Sequence, residues 1–478
     1  MIRLKKDRTA LRSALLVSTM SFALIACGGE AEQGAFVERN VDAFASTYTP
    51  LPSETTFITN VSMYDGKGGE IERGSILMEG GKIKAVGTDL TAPDGAKVID
   101  GTGKWVTPGI IDVHSHLGVY PSPSTGSHSD GNEVGEPVTA DVWAEHSNWP
   151  QDPGYMRAAA GGVTALQLLP GSANLIGGRS ATIKNVPGRT NQDMKFPGAP
   201  YGVKFACGEN PKRVYGGGKN NPILARPHTR MGNVAGFRQA FADGQDYIQR
   251  WEQYERDYKA GKNVVPPKRD LKMDTIAGIL EGEIIVHNHC YRADDMGTML
   301  DVAKEFGFKI GTFHHGVESY KIADRLRDAG TCSAMWADWY GFKMEAFDGI
   351  KENIPLVHNA GACAIVHSDD DIGIQRLNQE AAKALADGNK AGLNISKATA
   401  WTWLSLNPAK SLGVEEQTGT LDVGKDADVV LWSGNPFSVY SQAEITFVDG
   451  AVVFDRNNPD SNPVSDFELG MPGEGDTK

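Results

Sequence analysis

Ile110-Ile111-Asp112-Val113-His114-Ser115-His116 is an apolar run that ends in two histidines spaced i and i+2. An extended backbone repeats every two residues, so both imidazoles leave the same face and can reach one cation. One such pair is a modest signal, since two nearby histidines also occur in ordinary loops. Three further apolar runs end in the same way: Ile284-Ile285-Val286-His287-Asn288-His289, Ile310-Gly311-Thr312-Phe313-His314-His315 and Ala364-Ile365-Val366-His367-Ser368-Asp369. Seven of the 11 histidines thus stand at predicted strand ends, and solvated or core histidines do not explain that repetition.

Outward from these runs, the stretch from about Val106 to Gly413 alternates short apolar strands with helical segments such as Asp294 to Phe306, Tyr320 to Ala329 and Leu377 to Asp387. Repeated strand–helix units predict an α/β fold, a (β/α)8 TIM barrel over 106–413, with chemistry at the C-terminal ends of the strands. A doubly wound sheet is the competitor. No GxGxxG follows the first strand, and Gly216-Gly217-Gly218 lacks the Lys-Ser/Thr of a phosphate loop. On either side the texture changes to hairpins: Phe57 to Val61, Gly74 to Met78 and Lys82 to Val86 at one end, Ala427 to Trp432, Ile445 to Val448 and Ala451 to Phe454 at the other. These predict a small β-sandwich domain formed by both termini, from 55–105 and 414–456, with 457–478 as a tail.

The N-terminus is different again. Arg3, Lys5, Lys6, Arg8 and Arg12 precede an apolar stretch from Ala14 to Ala26 that is too short to span a membrane and reads as a signal peptide. Leu24-Ile25-Ala26-Cys27 resembles a bacterial lipobox, which makes Cys27 the lipidation site, 1–26 the removed lipoprotein signal and 27–54 a tether. Gly28 rather than Asp after Cys27 resembles outer-membrane sorting, so the expected place is the periplasmic side of a bacterial membrane. With 47 Lys+Arg against 60 Asp+Glu, the 478-residue chain has a formal charge of −13 and no basic block beyond its start, which excludes a phosphate-backbone binder. Cys207, Cys290, Cys332 and Cys363 have neither zinc-ribbon spacing nor the density of a disulfide scaffold.

From Thr56 to Asp455 the chain resembles the metal-dependent amidohydrolase superfamily, in particular its imidazolonepropionase-like and Xaa-Pro dipeptidase-like branch. The resemblance rests on the lead-in from Val98 to Gly109, the His114-Ser115-His116 pair, Gly161-Gly162-Val163-Thr164, Asn407-Pro408-Ala409-Lys410 and Gly424-Lys425-Asp426-Ala427-Asp428. It implies two divalent metal ions, zinc first with manganese or iron as alternatives, held by His114, His116, His289, His315 and Asp369. His287 is the alternate to His289. His314 and His315 point to opposite faces of a regular strand, so one of them faces the ions, and His315-Gly316 matches the family. The bridging ligand it implies is Lys204, carboxylated by CO₂, with Glu209 as alternate.

The chemistry follows from the residue types. Imidazole and carboxylate are donors that zinc, manganese or iron accept, and a site without cysteine is catalytic rather than structural. The expected reaction is hydrolysis of a non-ester C–N bond by a metal-bridging hydroxide, with Asp369 as general base and then acid. Tyr291, Arg292 and Arg230 are the expected substrate contacts, and Trp336, Trp339 and Tyr340 are expected to pack the top of the barrel, with lining of the pocket as the alternative. The alternatives are a mononuclear deaminase, whose relatives carry His-x-x-Glu where this chain has His289 and Arg292, and a barrel that binds without cutting. The partner is a small amide or peptide, without nucleic acid and with the membrane reached only through the lipid. A homo-oligomer is left open.

Overall fold

The computed structural model describes residues 34–39, 42–122, 124–216 and 226–463. The expected signal peptide, Cys27, the glycines at 217 and 218, and the tail beyond residue 463 lie outside them. Among the described residues, no helix is long and apolar enough to cross a membrane.

Five strands open the fold: β1 (Thr56–Tyr64), β2 (Glu70–Glu79), β3 (Lys82–Gly87), β4 (Lys97–Asp100) and β5 (Trp105–Pro108). The β2–β3 turn is Gly80-Gly81, with φ of 58° and 76°, the left-handed pair that a two-residue hairpin turn demands. Eight strands follow: β6 (Ile110–Ser115), β7 (Val163–Leu168), β8 (Ile176–Lys184), β9 (Gly202–Ala206), β10 (Ile285–His289), β11 (Ile310–His314), β12 (Cys332–Met335) and β13 (Ala364–Val366). The last three are β14 (Val429–Trp432), β15 (Ala443–Val448) and β16 (Ala451–Asp455). Both ends of the chain meet in one eight-stranded sheet, ordered β16-β15-β14-β5-β1-β2-β3 with β4 beside β1. The antiparallel pairing of β5 with β14 joins the two ends. The hairpin textures read at either end are thus one hydrogen-bonded sheet.

The central strands form a second eight-stranded sheet in sequence order, β6 through β13. Its strands β6 to β9 are buried along their whole length, as a sheet covered on both faces requires. One strand departs from the expected parallel barrel: β8 runs antiparallel to both β7 and β9. The reason is local, because residues 169–175 carry no crossover helix, and a chain that turns back directly must pair antiparallel. The barrel is nearly closed. Trp403 and Leu404 fill the gap between its edge strands, with the Val366 N–H donating to the Trp403 carbonyl (3.1 Å) and the Ile111 N–H to the Leu404 carbonyl (2.9 Å). At the C-terminal mouth, the Asp369 N–H donates to the His114 carbonyl at 3.0 Å.

Two cystine pairs, Cys207–Cys290 and Cys332–Cys363, join neighbouring strand ends, with Cα separations of 5.4 and 4.4 Å. Residues of the expected tether lie along the body: Phe44 packs edge-on against Trp143, and the Tyr48 hydroxyl donates to Asp449.

Lys184, at the end of β8, ties the barrel to the terminal sheet. Its buried ammonium lies 2.8 Å from Asp426, 3.6 Å from Asp428 and 2.6 Å from Asp449. Burial pushes Asp428 up to about 6 against the pull of this one cation. Lys82 also pairs with Asp426, but removing Lys184 leaves the buried Asp428 and Asp449 without their cation. Lys184→Met should therefore cost about 3–5 kcal/mol of unfolding free energy in urea titrations; a loss below about 1 kcal/mol, the range of a surface pair, would show that Lys184 does not hold the sheets together.

Candidate metal centre at the mouth of the barrel

The strand ends bring their side chains to one place. His114 and His116 leave the end of β6 with ring centroids 5.1 Å apart. His116 Nδ1 donates to the Leu169 carbonyl at 2.8 Å; a carbonyl only accepts, so the proton sits on Nδ1 and Nε2 offers its lone pair. That Nε2 is 3.2 Å from Asp369 Oδ1, which is also 3.3 Å from His114 Nε2, while Asp369 Oδ2 is 3.7 Å from His315 Nε2. Lys204 Nζ lies 3.2 Å from His114 Nε2. Among the described residues, two groups of three donors lie within 4.8 Å of one another: His114, His116 and Asp369, and His114, His315 and His367.

Two placements differ from a regular strand. His314 and His315 both face His114, with ring centroids 4.7 and 4.4 Å away, where alternation expects only one of them inside. The cause is that β11 ends at His314 and His315 adopts φ 60°, a left-handed turn that swings its ring back toward the mouth. Asp369 does the same beyond β13, at φ 54°. Non-glycine residues held in this region store strain, and they concentrate at functional sites.

His367 was not among the expected ligands. It is buried with neither ring nitrogen partnered, and its centroid is 4.8 Å from that of His315. The cue in the sequence was its shared parity with Asp369. His289 stands beside the two groups rather than in them: its Nε2 is 3.2 Å from the Asn210 amide, and its ring is 4.8 Å from His315. The alternate His287 lies behind the centre. His114 Nδ1 meets His314 Nδ1 at 2.8 Å, His314 Nε2 meets His287 Nδ1 at 2.9 Å, and His287 Nε2 has no partner. If His114 Nε2 presents a lone pair, the protons of this chain are fixed: His114 donates to His314, and His314 to His287.

Burial governs the charges. It pushes His287 and His367 down to about 3 and holds His114, His289, His314 and His315 well below the usual imidazole range, so these rings are neutral, the form that binds metal. Burial also pushes Lys204 down to about 7, against the attraction of Asp369. Glu209, at the start of helix Glu209–Tyr215, is paired instead with Lys343 at 3.1 Å.

The expected substrate contacts divide. Tyr291 is buried and stacks over His315, centroids 5.7 Å apart, its phenol held protonated by burial. Both arginines already have carboxylates. Arg292 binds Asp294 through Nε at 2.8 Å and a terminal nitrogen at 2.9 Å, and Arg230 grips Asp295 through Nε and contacts Glu345. Neither presents a free fork, because the following helix and the loop around Glu345 supply acids within reach.

The residues fit divalent ions: nitrogen and carboxylate donors converge, and buried nitrogens of His289, His315 and His367 lack partners. Asp112 supports them from behind. Its carboxylate accepts the His114 N–H (3.1 Å), the Ser368 N–H (3.2 Å) and the Ser368 hydroxyl.

A family model described as the Amidohydrolase family matches residues 279–456. An amidohydrolase of Hapsidospora irregularis is 32% identical over 404 residues, which cover 80% of this chain and 40% of that protein; the chain thus spans less than half of that relative's length. A crystal structure of an amidohydrolase from Thermotoga maritima MSB8 is 34% identical, with a TM-score of 0.75, over 84% of this chain and 100% of that chain. A Xaa-Pro dipeptidase crystallised with methionine in its active site matches at TM-score 0.51 and 15% identity over 83% of this chain and 99% of that chain, a likeness of fold.

Because Asp112 orients two donor groups without touching the centre, Asp112→Ala should weaken zinc binding about 10- to 100-fold while the protein stays folded. Competition against a chromophoric chelator, with circular dichroism as the control, checks this; unchanged affinity would remove Asp112 from the site.

Proposed function

This chain belongs to the amidohydrolase family, and from that premise we propose that it hydrolyses a non-ester carbon–nitrogen bond in an amide, cyclic amide or dipeptide. The observation that carries the reading is Asp369, whose carboxylate lies 3.2 to 3.7 Å from ring nitrogens of His114, His116 and His315. These residues and His367 would hold divalent ions, with Lys204 and His289 beside them. Zinc or manganese bound there would supply hydroxide at neutral pH and polarise the carbonyl under attack. Asp369 takes a proton from the attacking water and returns it to the departing nitrogen. Tyr291, kept protonated by burial, donates to the carbonyl oxygen. Lys204, as a free amine near neutral pH, adds CO₂ with loss of a proton and so presents carbamate oxygens in place of nitrogen.

The proposed setting is outside the inner membrane, with the lipid on Cys27 and the outer membrane as the anchor. Leu24-Ile25-Ala26-Cys27-Gly28 supports it, as do the two cystine pairs, since such bonds persist in oxidising compartments. Peptides or N-acyl amino acids are the substrates that suit this location.

Protein lacking residues 1–27, produced with zinc or manganese and bicarbonate, should carry two ions per chain by plasma emission spectroscopy. One ion would favour the mononuclear deaminase. Asp369→Asn should keep metal and lose at least about 100-fold in kcat; full turnover by that variant would sink the assigned role.

A further inference from the structure

The segment between Cys27 and the terminal sheet is held on the body from its first described residues. Phe36 stacks on Tyr254 with centroids 5.6 Å apart and packs on Tyr258 at 5.2 Å, the Val37 N–H donates to the Tyr254 hydroxyl at 3.2 Å, and Arg39 pairs with Glu281. Further on, Lys195 Nζ donates to the Phe44 carbonyl at 2.6 Å, and the Thr47 N–H donates to the Gln192 carbonyl at 3.0 Å. Tyr254 and Tyr258 stand near the end of the long helix Arg230–Lys259. Where that helix ends therefore fixes where the segment leaves the body.

The helix starts at the mouth. Arg230 binds Asp295 and Glu345 there, and the Asn233 amide donates to the carbonyl of Gly208, just beyond β9, at 2.8 Å. Phe241 then packs on Phe308, centroids 4.4 Å apart, and Phe308 precedes β11, at the level where the strands begin. At 1.5 Å per residue the rest of the helix runs about 25 Å past that level. In this part Tyr247, Trp251 and Tyr254 pack on Ala277 of helix Leu271–Glu281 as a small core of their own. The two helices thus form a hairpin that projects from the end opposite the mouth, with its tip, residues 260–270, about 45 Å along the long helix from the mouth. The tip suits a phospholipid face. Val265 is 87% and Leu271 57% exposed. Residues 259–272 hold five basic side chains against Asp270 alone, in a chain of formal charge −13. Lys259, Lys262, Arg269 and Lys272 pair with acids, and Lys268 has no ion pair among the described residues, so anionic headgroups do not repel the tip. Cys27 is seven residue steps from Gly34, which span at most about 25 Å even when fully extended. That is well short of the long helix, so a lipid on Cys27 enters its bilayer beside the tip.

We propose that the tip of this hairpin rests on the phospholipid surface that holds the Cys27 lipid, and that the barrel mouth faces away from that membrane and takes its substrate from the aqueous side. The proposal rests on the Cys27 lipid read above and is independent of the reaction catalysed. To test it, the chain from Cys27 onward is joined through that cysteine to a maleimide phospholipid and bound to vesicles of phosphatidylethanolamine and phosphatidylglycerol. Hydrogen exchange, read by mass spectrometry, is compared with that of the same chain without lipid. On vesicles, exchange across 260–270 should slow at least about 10-fold while 340–348, beside the mouth, is unchanged. Phe36→Ala combined with Arg39→Ala, which frees the segment, should abolish that protection and leave vesicle capture intact. Protection at 340–348, protection at neither segment, or protection of 260–270 that survives the double variant overturns the proposal. Mass spectrometry of the N-terminal peptide from exported protein tests the natural anchor separately. A peptide without lipid also overturns the proposal, by removing its anchor rather than its geometry.

Discussion

Asp112 holds the seam where the barrel closes. Its edge strands share no continuous ladder, so the relative position of β6 and the loop after β13 depends on a few contacts. Asp112 supplies the central ones, accepting the backbone N–H groups of His114 and Ser368 together with the Ser368 hydroxyl. Burial pushes this carboxyl up to about 7, and the same three donors pull the other way, so the charge that orders the seam depends on the seam being formed. His114 and Asp369 are each within two residues of these contacts. A displacement of about 1 Å between donors is enough to spoil a reacting geometry, which makes this tie the foundation of the site.

Around the seam, burial does most of the electrostatic work. Crowding so many imidazoles would be untenable if they were charged, and the dry interior keeps the buried ones neutral with lone pairs available. The chain from His114 through His314 to His287 then sets which nitrogen of His114 faces the mouth. Carboxylates elsewhere are matched in a comparable manner: Arg230 and Arg292 are neutralised by protein acids, and Lys184 by the aspartates of the terminal sheet. The mouth thereby gathers imidazole donors, Asp369 and an aromatic wall, with Lys204 beside His114 and Lys343 beside Tyr291.

The parts of the fold that were legible in the sequence are those governed by local rules. Gly80-Gly81 marks a hairpin by itself, and apolar runs ending in histidine mark strand ends because a strand alternates every two residues. The same rule admitted only one of His314 and His315, whereas the left-handed φ of His315 brings both rings to His114, and it pointed only weakly to His367. The antiparallel course of β8 was hidden because Ile176 to Lys184 reads as a buried strand in either direction. Of the two arginines expected at the substrate, Arg292 meets an acid two residues away in sequence, whereas Arg230 meets Asp295 and Glu345 only when the helices and the loop after β12 are in place.

The sequence by itself determined that strand-end histidines and an aspartate would gather at one mouth of an α/β barrel, since periodicity and burial are written residue by residue. Only the tertiary structure decided which of them share a centre, that Cys207 meets Cys290 across 83 residues and Cys332 meets Cys363 across 31, and that an aromatic wall stands against His315. Those outcomes depend on which strands become neighbours and how each chain turns after leaving the sheet. That is settled by the closure of the whole barrel, because no single segment contains both sides of a contact.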